Sequence, residues 1–139
     1  MTGRHFIQAY TEDAFLAGVV AEYLGAGLRQ GEAAIVIATA KHVASFSDRL
    51  AALGVDVTSA QRARHLLFLD AERALGRFMV DGRPDRELFR ALVATALDHV
   101  RAGGQRRVRL YGEMVDLLWT ESLVAAVGLE ELWNEVLDG

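Results

Sequence analysis

Between Phe6 and Thr39 the chain lays out a strand, a long amphipathic helix and a second, wholly apolar strand. The turn joining the first two elements contains no glycine and no lysine. Residues 6–10 read as the first strand. Thr11 is placed to cap the helix of residues 12–30, and Glu12 and Asp13 suit the positive end of its dipole. In P-loop proteins this strand-to-helix turn is glycine-rich and ends in Lys-Ser or Lys-Thr, which cradle phosphate. Here two carboxylates stand in its place, so the turn is expected to repel phosphate.

The remaining pattern alternates strand and helix, which predicts a three-layer α/β/α domain with a mainly parallel central sheet. In the first helix Leu16, Val20, Leu24 and Leu28 form an apolar stripe, widened by Phe15, Val19 and Tyr23. Gly31 ends it. Residues 33–39 are apolar enough to be a central strand covered on both faces. A helix follows over residues 40–53, with Val43, Phe46, Leu50 and Leu53 facing inward, and residues 55–57 read as a short extended segment. Residues 66–69 are the third strand, with Asp70 at its end. Residues 71–80 are helical, Asp81-Gly82 is a turn, and Pro84 opens the next helix, which Leu88, Phe89, Leu92, Val93, Ala96, Leu97 and Val100 line. Residues 107–111 form an alternating strand with Val108 and Leu110 on one face. Residues 113–119 and 121–137 are expected to be helical, with Trp119 and Trp133 as packing anchors.

The chain has 139 residues, room for one domain, here spanning residues 1–139. It has no cysteine, which excludes disulfides, thiolate metal sites and cysteine nucleophiles. No signal-peptide pattern opens the sequence and the purest apolar run, residues 33–38, is too short to span a bilayer, so a cytoplasmic protein without membrane attachment is expected. The formal net charge of −4 gives no broad attraction to nucleic acid. Arg101, Arg106, Arg107 and Arg109 form one basic group, read as a solvated helix end and the outer face of a strand because no aromatic residues interleave with them. The histidines form no HxH or HxxxH pair, so no metal and no other cofactor is expected.

Ligands of open α/β sheets bind beyond the carboxyl ends of the strands. That rule selects Tyr10 and Thr11 after the first strand, Thr39 and His42 after the second, Asp70 and Glu72 after the third, and Tyr111, Gly112 and Glu113 after the fourth, with Met114 as part of a roof. Asp70 reads equally well as a helix cap. Glu113 reads either as a functional acid or as the start of a helix, Tyr10 and Tyr111 as ligand contacts or half-buried strand residues, and His42 as a first-turn surface residue. No GxSxG, HExxH or GxGxxG motif is present. Asp70 and Glu113 make an acid–base pair only if their strands are neighbours and their environments separate their pKa values.

These pieces in their order resemble the MEDS family, a sensory domain of methanogen and methylotroph proteins and of a dichloromethane-responsive regulator. The resemblance rests on His5 and the strand to Tyr10, Thr11-Glu12-Asp13, Gly27-Leu28 and Gly31-Glu32 before Ile35-Val36-Ile37. It continues through Leu53-Gly54-Val55-Asp56-Val57, Leu67-Phe68-Leu69-Asp70-Ala71-Glu72, Val108-Arg109-Leu110-Tyr111-Gly112-Glu113-Met114 and Leu132-Trp133-Asn134-Glu135. It implies a RecA/KaiC-like domain without its P-loop, an input module of bacterial regulators with hydrocarbon derivatives proposed as signals. By resemblance, residues 11–13 replace the phosphate loop and Gly112-Glu113 lies near the Walker B position. Ala9 stands where a bulkier aromatic residue is common.

The expectation is therefore a non-catalytic sensor whose small-molecule signal is oriented by Tyr10, Thr11, Thr39, His42, Asp70, Tyr111 and Glu113. The mobile element is expected in residues 70–84 or in the C-terminal helix. With no output domain in the sequence, the signal passes to a regulatory protein partner such as a kinase, an anti-sigma factor or a transcription regulator. A homodimer is compatible with this reading. The alternatives are a ligand-free pseudo-NTPase interaction module and an enzyme using Asp70 and Glu113.

Overall fold

The computed structural model describes residues 4–6, 13–104 and 107–113. Among these residues six strands and five helices follow one another as β1 (Arg4–Phe6), α1 (Asp13–Arg29), β2 (Ala33–Ala38), α2 (Ala40–Ala52), α3 (Val57–Arg62), β3 (Leu66–Asp70), α4 (Ala71–Phe78), β4 (Met79–Val80), β5 (Arg83–Pro84), α5 (Arg86–Arg101) and β6 (Val108–Gly112). β1, β6, β2 and β3 lie side by side in that order, all parallel.

The layers follow from the period-two pattern of β2, whose residues are all buried. Ala33, Ile35 and Ile37 join Val108 and Leu110 under α4 and α5. Ala34, Val36 and Ala38 face the other way, against α1 and α2. Alanines at two of those three positions leave depth for Phe46 and Tyr111, which fill the same face. The domain is thus a three-layer α/β/α sandwich, as the alternating pattern requires.

Several local expectations are corrected. Residues 55–57 are not an extended segment: Asp56 caps α3, accepting the Ser59 N–H at 3.0 Å. That bond holds the Asp56 carboxyl below its ordinary value. Helix α4 ends at Phe78, and Met79–Val80 pairs with Arg83–Pro84 in a tiny hairpin. Asp81 (φ 52°) and Gly82 (φ 77°) are both left-handed, the requirement of a type I′ turn. Pro84 is therefore a strand residue, and Asp85 caps α5 by accepting the Leu88 N–H at 3.0 Å. Leu53, Leu88 and Phe15 are exposed rather than inward. Strand β1 is described only over Arg4–Phe6, and the expected helices of residues 114–137, with Met114, Trp119 and Trp133, lie outside the described residues. Among the described residues no helix is long and apolar enough to cross a membrane.

Candidate functional site

Because β6 inserts between β1 and β2, the ends of β6 and β2 are neighbours: Ile37 stands opposite Gly112. The Glu113 N–H donates to the Ile37 carbonyl at 3.1 Å, carrying the ladder one residue further. Along β6, Arg109, Tyr111 and Glu113 follow at every second position, so all three belong to the α1/α2 face.

Thr39 is extended (φ −66°, ψ 156°) and caps α2, its Oγ1 accepting the His42 N–H at 3.4 Å. In a capping box the residue three places on returns a carboxylate to the cap's own N–H. Here that residue is His42, and the carboxylate comes from the opposite strand. Glu113 Oε1 accepts the Thr39 N–H at 2.5 Å. The His42 ring reaches the same carboxylate, Nδ1 lying 3.1 Å from Oε1 and 2.9 Å from Oε2. Against the carboxylate oxygens, which accept, Nδ1 is assigned as the donor nitrogen. The Tyr111 hydroxyl donates to Oε2 at 2.8 Å. Phe46 backs the cluster, stacked with His42 (centroids 5.8 Å apart, 27°) and edge-on to Tyr111 (5.3 Å, 90°).

Glu113 is 4% exposed, the one polar or charged side chain in the described core. Burial of a charge is tolerated here because three donors and the positive end of α2 surround it. The N-terminus of α2, a position that in general favours anions, is occupied by the chain's own carboxylate.

Of the sequence-selected residues the structure brings together Thr39, His42, Tyr111 and Glu113. Asp70 stands apart. It lies on β3, two strands from β6, so it is about 10 Å away by strand spacing. Its Oδ1 accepts the Arg73 N–H at 3.1 Å as the cap of α4. Asp70 and Glu113 therefore do not sit on neighbouring strands. Tyr10 and Thr11, and with them the acidic turn at Glu12, lie outside the described residues. Among the described residues no three potential metal ligands cluster.

A second polar group at the opposite end of β6 escaped the sequence reading. Arg109 is half-buried and paired rather than free in solvent. Its Nε donates to Glu32 Oε1 at 2.6 Å, its Nη1 donates to the Tyr23 carbonyl at 2.8 Å, and its guanidinium lies 5.0 Å from the Tyr23 ring centroid. Gly27 makes room, since a Cβ there would fall 2.5 Å from Arg109 Cδ. The signal was in the strand period: a residue two positions before a buried tyrosine shares its face.

No curated protein and no solved structure matches the chain. The family model for MEDS, the methanogen/methylotroph, DcmR sensory domain, matches residues 4–139. An α/β/α sandwich with its polar cluster at the carboxyl end of a parallel sheet, matched over nearly its whole length, belongs to the MEDS family of sensory domains.

Proposed function

We propose that the chain is a non-catalytic sensor that binds a small, neutral or weakly polar molecule at the carboxyl edge of the sheet. Binding is passed to a regulatory protein partner. The observation that carries this reading is the saturated Glu113 carboxylate at the start of α2, which occupies the anion-favouring N-terminus of that helix. A nucleotide is disfavoured there, whereas an uncharged molecule is not repelled. Thr39, His42, Tyr111 and Glu113, with Asp70 on the same rim of the sheet, supply the few orienting polar groups such sites use, and Tyr10 and Thr11 are proposed to join them on the sequence alone. The separation of Asp70 from Glu113 and the capping duty of each argue against an acid–base pair. A ligand shifts the partner only if it binds two arrangements unequally. Residues 70–84, with the exposed Val80 in their short hairpin, are the proposed responding element.

A second reading, a ligand-free interaction module, is favoured by the same saturation, because the cluster satisfies itself. The two are separated by a thermal-shift screen of small neutral organic molecules followed by amide NMR. A hit that raises Tm and moves the Thr39, His42 and Glu113 amides supports the sensor. Absence of any such hit, with partner binding intact, supports the interaction module.

A further inference from the structure

We infer that the chain has a second small-molecule site, on the flank of β3, that takes an apolar molecule carrying one anionic head. This stands independently of the sensor reading at the β2/β6 rim.

A cavity of about 420 Å³ lies between β3, α4 and α5. That is within the range of ordinary small-ligand pockets, about 300–1,000 Å³. The side chains of Leu69, Ala74 and Leu92, all on the α4/α5 side of the sheet, give it an apolar lining. β3 is the last strand of the sheet among the described residues, and none of those residues adds a strand over this flank.

Arg73 and Arg77 stand at the same cavity. They are one turn apart on α4 and therefore share a face, where like charges repel. Neither guanidinium has an acidic partner among the described residues. Asp70 also borders the cavity, but its carboxylate is turned to the Arg73 backbone N–H as the helix cap. Two cations thus face one anion that is already engaged. A bound carboxylate or similar oxyanion would relieve the repulsion and accept the paired donors that a guanidinium fork offers. Its tail would meet the apolar lining. Charge and apolarity together define the class: neither a neutral hydrocarbon nor a bare anion uses both halves.

The test is an amide-NMR titration of the full chain with sodium octanoate, with octanol and acetate as controls. Saturable shifts are expected at residues 68–77 and at Leu92. Binding should weaken by roughly tenfold or more in the Arg73→Ala/Arg77→Ala pair, with Arg77→Glu as a second variant. Octanol and acetate should each bind at least about tenfold more weakly than octanoate. Circular dichroism and Tm establish that both variants are folded. The inference is overturned if octanoate does not saturate, if the folded variants bind it equally, if octanol binds as well, or if the shifts fall at residues 39–42 and 111–113. That last result would move the anion to the β2/β6 rim and contradict the sensor reading as well.

Discussion

Glu113 closes the first turn of α2 by accepting the backbone N–H of Thr39, a residue 74 positions earlier in the chain. A capping interaction that is normally local here ties two strands and a helix together. Replacing Glu113 by alanine leaves the Thr39 N–H, the Tyr111 hydroxyl and the His42 ring without their acceptor. The expected loss is about 3–5 kcal/mol, as for other buried charged partners. Glu113→Gln keeps one carbonyl acceptor and should lose about half as much. Urea denaturation of the two variants checks the order. Equal stability of Glu113→Ala and wild type would contradict it.

Tyr111 contributes a ring and a hydroxyl, and the two separate by substitution. Tyr111→Phe keeps the edge-on packing on Phe46 and removes one hydrogen bond to a carboxylate, a cost of about 1.5–3 kcal/mol. Tyr111→Ala also empties a fully buried site and should cost about 3–5 kcal/mol. A Tyr111→Phe midpoint equal to that of the wild type would show that the hydroxyl bond carries nothing, and equal midpoints for the two variants would show the same of the ring packing.

Much of the fold was legible because it rests on periodicity. The wholly apolar run of β2, the i, i+4 stripe of α1 and the Asp81-Gly82 turn each carry a local signal. The errors fell where local preference was overruled. Pro84 suits the start of a helix, but Asp85 supplies a cap one residue later and Pro84 joins a hairpin. Residues 55–57 look extended by composition, yet Asp56 is a helix cap that accepts the Ser59 N–H. The site was half legible. Thr39, His42, Tyr111 and Glu113 were selected by the strand-end rule, but their convergence depends on β6 lying between β1 and β2. Strand order is a long-range property that no local pattern states.

Gly27 and Arg109 offer a change of sign. In the wild type, Gly27→Ala should cost about 1–3 kcal/mol, because its Cβ collides with an arginine stem fixed by Glu32 and Tyr23. In an Arg109→Ala background the space is free. The same substitution should then be neutral or stabilise by up to about 1 kcal/mol through helix propensity. A double-mutant cycle by thermal denaturation measures the coupling. The same cost in both backgrounds would contradict the account.

Asp56 predicts a pH dependence of known sign. Its carboxyl is held below the ordinary value of 3.8 by the Ser59 bonds, so the unfolded chain binds its proton first. The stability it adds is fully present above the unfolded value and is lost as pH falls through the lower folded value. The difference between wild type and Asp56→Ala should therefore be constant at neutral pH and shrink below about pH 4. Denaturation curves at several pH values check this, and a difference that grows on acidification would contradict it.

The central claim is that an internal carboxylate fills the anion seat at the start of α2. The Thr39 amide resonance reports on that seat directly, whatever binds elsewhere on the molecule. Titrated with Mg-ATP, it should keep its position up to millimolar nucleotide. A saturable shift of the Thr39 amide at micromolar Mg-ATP would mean that phosphate displaces Glu113, and the account would be wrong.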